Sequence, residues 1–199
     1  MDPTNWITAG ATAVIAAFTA ALFIATNRQA KLTRQALITT ERAFVFLEDF
    51  DCDLSFQSGR GPNLTVTRLT VRPRWRNNGT TPTRNMRVAV NWSHWSGPMP
   101  TGFDYAYGDS SALMFLGPQA TEWSAPIEIP PHVATAALSG NLRIFIWGRV
   151  DYQDIFNDSR PHFTEWCYRL HIRNVSGKVE TQFIAEGEYN RSDEDSENT

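Results

Sequence analysis

The sequence predicts a mainly β protein: a single N-terminal transmembrane helix with a helical stalk, followed by an antiparallel, immunoglobulin-like β-sandwich of about seven strands. Three observations carry this expectation. Residues 6–26 contain no charged side chain, and residues 27–41 contain neither Gly nor Pro. From Ala43 onward the apolar period changes from helical to two, with Gly, Pro and Asn clustered between the runs.

About 20 helical residues cover the roughly 30 Å hydrocarbon core of a bilayer, so 6–26 is long enough to cross it. Ile7, Val14, Ile15, Phe18, Leu22, Phe23 and Ile24 supply its hydrophobicity. The acidic Asp2 before the run argues against a cleaved signal peptide, which carries a basic residue there. Arg28, Lys31, Arg34 and Arg42 follow the run, and the positive-inside bias then expects the N-terminus outside and the body in the cytoplasm, at an inner (plasma) membrane. Ala9, Ala13, Ala17, Ala21 and Ala25 recur every fourth residue and place small side chains along one helical stripe. Such a stripe lets two helices approach closely in lipid, which makes it the candidate interface of a homodimer. Residues 27–41 should continue the helix as a stalk, so that 1–42 form the anchor.

Residues 43–186 should form the sandwich. In 43–54, Phe44, Phe46, Phe50, Cys52 and Leu54 fall on one face, interrupted by Glu48, and Asp49, Asp51 and Asp53 on the other. In 68–77, Leu69, Val71, Pro73 and Trp75 alternate with Arg68, Thr70, Arg72, Arg74 and Arg76. Pro73 cannot donate to a ladder, so this strand is expected at a sheet edge or at a bulge. Asn78-Gly79 and Pro82 signal a reversal, after which Met86, Val88, Val90 and Trp92 mark a third strand. Residues 97–118 read as the longest irregular stretch and 122–129 as a fourth strand. Residues 130–139 read as a short helix opened by Pro-Pro and stopped by Gly140. Residues 142–152 are apolar on both faces, as in a central strand covered on both sides, and 163–172 return as its hairpin partner. Residues 179–185 close the set. The segment 186–199 carries six acids and one Arg, and 187–199 should be a disordered acidic tail.

The stretches ERAFVFLE, NNGTTPTRN and IFIWGRVDYQDIFNDSRPHFTEWCYRL, following an N-terminal span and a Gln/Arg-rich stalk, resemble small bacterial single-pass membrane proteins with a C-terminal β-sandwich domain. Where that group has glycine after its Asp-x-Phe turn this chain has Asn157, the residue after glycine most tolerant of a left-handed conformation. The resemblance implies a topology and a fold and brings no activity with it.

Lys+Arg 18 against Asp+Glu 21, for a net charge of -3, speaks against a nucleic-acid partner. Two cysteines, Cys52 and Cys167, are too few for a disulfide scaffold or a four-cysteine zinc site. No phosphate loop, nucleophile elbow or paired-histidine metal motif is present, and no cofactor is expected. His162, Glu165 and Cys167 share a strand, but His162 and Glu165 would point to opposite faces. Asp151, Asp154 and Asp158 flank a turn, where carboxylates more often cap their own backbone than hold a cation. The sharpest feature is the arginine set Arg72, Arg74, Arg76, Arg84 and Arg87, a candidate contact for an anionic surface. Against it stands the equally spaced Asp49, Asp51 and Asp53, which would neutralise Arg72, Arg74 and Arg76 if the two strands pair. The favoured function is a non-enzymatic module that binds a protein partner at the membrane. The alternative is a ligand-binding or hydrolytic domain with a site in 97–118, near His94, Trp95 and Asp104.

Overall fold

A computed structural model describes residues 3–58, 64–107, 111–156, 160–176, 178–187 and 189–193, with side chains from residue 10 onward. The chain divides into two compact units, Met1–Glu41 and Arg42–Thr199. The first is one unbroken helix, α1 (Pro3–Glu41). Its 39 residues rise about 1.5 Å each, roughly twice the distance a bilayer core requires. Val14, Ile15, Phe18, Leu22, Phe23 and Ile24 are exposed on it.

The second unit is two antiparallel sheets. The first sheet takes β1 (Val45–Ser58), β2 (Leu64–Asn77), β5 (Thr121–Trp123) and β6 (Ile127–Ile129), with β2 in the middle. The second takes β3 (Arg84–Trp95), β4 (Ser111–Met114), β7 (Arg143–Gln153), β8 (His162–Val175), β9 (Lys178–Ala185) and β10 (Arg191–Ser192). Its order is β4-β3-β7-β8, and β9 and β10 both pair with β8. The helix α2 (Pro131–Leu138) opens on Pro131 at its first turn and stops at Gly140, whose φ of 76° suits glycine. Val71, Trp75, Ile146, Val150, Trp166 and Leu170 are buried in the core. Phe50 stacks on Phe183 at 4.0 Å and meets Trp166 edge-on at 5.3 Å, which joins β1 to the second sheet. Gly148 lies under Trp166: a Cβ there would come within 2.5 Å of the indole.

Several sequence expectations change. Phe44 and Phe46 do not share a face with Phe50. The register of β1 against β2 shifts between Leu47 and Asp49, and this bulge at Glu48 reverses the alternation. Ala43 and Val45 are buried before it, Leu47 packs on the core, and Phe50, Cys52 and Leu54 pack on the core after it. Pro73 does not mark an edge, since β2 is the centre of its sheet. Its carbonyl accepts from Ser124 N at 2.9 Å, so its missing N–H points to the break between β5 and β6, where no ladder bond is lost. The expected fourth strand is therefore two short ones. The Asn-Gly segment does not close a hairpin but carries the chain from one sheet to the other. Asn77, 0% exposed, holds this crossover. Its Oδ1 accepts from Phe44 N and Gly79 N, and its Nδ2 donates to the carbonyls of Thr81 and Gly117. Gly79 packs so closely on the Arg42 carbonyl that a Cβ would overlap it.

The tail also changes. Residues 189–193 are not disordered: β10 pairs with Thr164 and Glu165, and Asp193 N donates to Phe163 O at 3.2 Å. Between β9 and β10 the Asn190 side chain replaces a peptide group, accepting from Cys167 N at 3.1 Å and donating to Cys167 O at 3.4 Å. The expectation for 194–199 lies outside the described residues, as do Ala9 as a side chain, Asn157 and Asp158.

Candidate functional site

The two charge stripes meet on the outer face of the first sheet. In the β1/β2 register Asp49 stands opposite Arg74 and Asp51 opposite Arg72. Arg72 bridges Asp51 at 2.6 Å, Arg74 reaches Glu48 at 3.0 Å and Asp49 at 3.5 Å, and Arg76 pairs with Glu48 at 2.8 Å. Arg68 reaches Asp53 at 3.6 Å, because Thr70 occupies the position across from Asp53. Trp123 lies against Arg72 and Arg74, with guanidinium carbons 5.1 and 4.9 Å from its ring. Arg84 and Arg87 do not join this set. They sit on β3 in the other sheet, and Arg87 is exposed between the buried Met86 and Val88, on the outward face of that sheet. The crossover at 78–83 separates the five arginines into two groups on opposite outer faces.

The outer face of the second sheet is covered around Phe145 and Trp147. These two are 0% and 2% exposed although they point away from the main core. Segment 97–107 folds over them: Phe103 meets Trp95, Tyr105 and Trp147 edge-on, and Tyr105 stacks on Tyr189 from the C-terminal segment at 3.8 Å. This explains the two apolar faces of β7. It also disperses the expected 97–118 site. Trp95 joins the aromatic cover, exposed His94 stacks on Trp92 from the other face of β3, and Asp104 is exposed. The irregular stretch in addition contains β4.

Beside the aromatic cover lies Glu165, whose side chain is 2% exposed. It accepts from Arg149 at 2.6 Å, Arg191 at 2.7 Å and Tyr189 at 3.1 Å. Arg149 also holds Asp151 at 2.7 Å. Hydrogen bonding to Asp151, then the charges of both acids, outweighs burial and pushes the guanidinium further up, so this arginine stays charged. Burial pushes the neighbouring Cys167 thiol up to about 12, which leaves it an unreactive thiol. Cys52 packs on the core and Cys167 on the opposite face of the second sheet, and both are free.

A second polar group closes the end where the body begins. His162, 4% exposed, sits between Asp193 (2.6 Å from Nδ1) and Asp154 (3.4 Å from Nε2). Burial raises the Asp193 carboxyl, but the hydrogen bond and charge of His162, with help from Arg42, bring it below its ordinary value. Asp154 also accepts from Phe156 N at 2.7 Å, the turn-capping role expected of it. Among the described residues no group of three His, Cys, Asp or Glu is disposed to hold a metal ion. Tyr152 accepts from Val45 N at 3.2 Å, Thr164 donates to Val45 O, and burial pushes the Tyr152 phenol up to about 12.

The feature that the sequence did not single out is β4. Leu113 and Phe115 are 77% and 67% exposed, the two most exposed large apolar side chains of the body. Next to them a groove of about 260 Å³ opens between the sheets, lined mainly by apolar residues, Val88, Val90, Ala112, Pro126 and Ile127 among them, with Ser111 and Ser124 at its polar points. The apolar run 112–116 was the only signal for it, hidden inside a Gly/Pro-rich stretch. On α1 the described part of the alanine stripe, Ala13, Ala17, Ala21 and Ala25, is exposed. No family model, curated protein or solved structure matches this chain.

Proposed function

We propose that the chain is a single-pass protein of a bacterial inner membrane, with its N-terminus outside, and that its cytoplasmic β body works by binding a protein partner. The observation that carries this is the exposed Leu113 and Phe115 pair beside an open apolar groove, on a body whose other large apolar side chains are mostly buried or packed. The anchor reading is supported by α1, which alone among the described helices is long and apolar enough to cross a membrane. Thr19 donates to the Ile15 carbonyl at 2.8 Å, so its hydroxyl is satisfied without water. The immunoglobulin-like reading draws on strand order: β1-β2-β5/β6 against β4-β3-β7-β8 corresponds to A-B-E against C′-C-F-G.

A photo-crosslinker placed at Leu113 in native membranes should give a discrete protein adduct, and the same probe at Asp51 should give none. No adduct at Leu113, or equal adducts at both, would overturn the reading. Protease added outside spheroplasts should leave the body intact, and its digestion would reverse the orientation.

A further inference from the structure

The geometry points to β4 as an acceptor edge for strand addition, whose occupant is an extended segment of a partner protein in which apolar side chains alternate with carboxylates. This rests on the interaction reading above and adds its mode and its chemistry. Exposed strand edges invite pairing, and natural sheets guard them with charge. Every other described edge strand is guarded: β1 by Glu48, Asp49, Asp51 and Asp53, β5 by Glu122, β6 by Glu128, β9 by Lys178 and Glu180, and β10 by Arg191. The sequence of β4, Ser-Ala-Leu-Met, has neither charge nor proline.

A strand added beside β4 would send alternate side chains to opposite faces. Those pointing inward meet the groove floored by Val88, Val90 and Ile127, so they must be apolar. Those pointing outward meet Leu113 and, one strand further on, Arg87, which stands opposite Leu113 in the β3/β4 register. Arg84 and Arg87 are exposed and have no ion-pair partner among the described residues. Asp151, opposite Arg87 on β7, is already held by Arg149. Two unpaired cations beside an uncharged edge call for carboxylates from the partner. A second copy pairing through its own β4 does not supply them: two β4 edges would gather four arginines on one face, with no acid on either β4.

The full chain in phosphatidylcholine nanodiscs is titrated with a fluorescent heptapeptide of alternating valine and glutamate, and with its valine and lysine counterpart. The glutamate peptide should bind saturably and about tenfold more tightly than the lysine one. Arg87→Glu should reverse that preference, Leu113→Glu should abolish binding, and N-methylation along one edge of the peptide should abolish it too, since main-chain hydrogen bonds carry strand addition. Both substituted side chains are exposed, and an unchanged circular dichroism melt separates lost binding from lost folding. Equal binding of the two peptides, binding that survives N-methylation, or a crosslink from Leu113 to a second copy would each overturn the proposal. If the Leu113 adduct in membranes persists while the peptides fail, strand addition falls and the interaction reading stands.

Discussion

Replacing Glu165 with glutamine asks whether residues 189–193 are a structural strap. The substitution keeps the shape of a side chain that is 2% exposed, so no cavity opens. Tyr189 can still donate to the amide oxygen. What disappears are the charge-assisted bonds from Arg149 at 2.6 Å and Arg191 at 2.7 Å. Such a bond contributes about 1.5–3 kcal/mol when well buried. Arg149 retains Asp151, and Arg191, 57% exposed, regains water. The expected loss is therefore about 2–3 kcal/mol, not twice the single-bond value. For a body of this size that lowers the thermal midpoint by roughly 4–12 °C. Hydrogen exchange should show the effect first at 189–193, where Asp193 N is bonded to Phe163 O, before the core strands respond. Arg191→Ala should release the same segment at a cost below about 1 kcal/mol. A Glu165→Gln protein that melts within about 1 °C of the parent, with 189–193 equally protected, would show that the carboxylate does not hold the strap.

Arg72→Asp should cost about 0.2–1 kcal/mol in a urea titration and Asp51→Arg on top of it should restore most of that, both effects shrinking in high salt. An additive double variant would mean that the 2.6 Å pair contributes nothing. Gly148→Ala should destabilise by about 1–3 kcal/mol, because Trp166 has Phe50 and Trp75 behind it and cannot retreat from a Cβ 2.5 Å away; an unchanged urea midpoint would contradict this packing. The Asp193 carboxyl lies below its ordinary value in the folded chain. Its stabilising contribution is therefore complete above the unfolded value of about 4 and is lost as the pH falls through the lower folded value. Asp193→Asn should flatten that acid limb of stability, and parallel limbs in parent and variant would remove the group from the account.

Much of the fold was legible because local pattern and burial agree. The uncharged run before Arg28 could only be a long apolar helix, and Gly140 could end α2 because its conformation is local. The two-faced apolarity of β7 announced a strand covered on both sides, although not what covers it. The equal spacing of the two charge stripes offered a pairing, which holds because β1 and β2 are neighbours.

What remained hidden depends on where distant segments meet. One bulge at Glu48 reverses the facing of Phe44 and Phe46, and period counting cannot see an extra residue that the partner strand alone defines. Arg84 and Arg87 look continuous with Arg72, Arg74 and Arg76 along the chain, yet the crossover held by Asn77 sends them to the other sheet. The acidic tail has almost no apolar residue, and composition assigned it to disorder. Its residues 189–193 are held by single contacts with one strand, β8: Asn190 with Cys167, Arg191 with Glu165, Asp193 with His162. The sequence by itself determined the helix and the long strands β2, β3, β7 and β8, because those follow from the backbone's periods. The tertiary structure alone decided which charges neutralise each other, which loop became the cover of β7, and that β4 was left as the unguarded edge, because each depends on the packing of residues far apart in the chain.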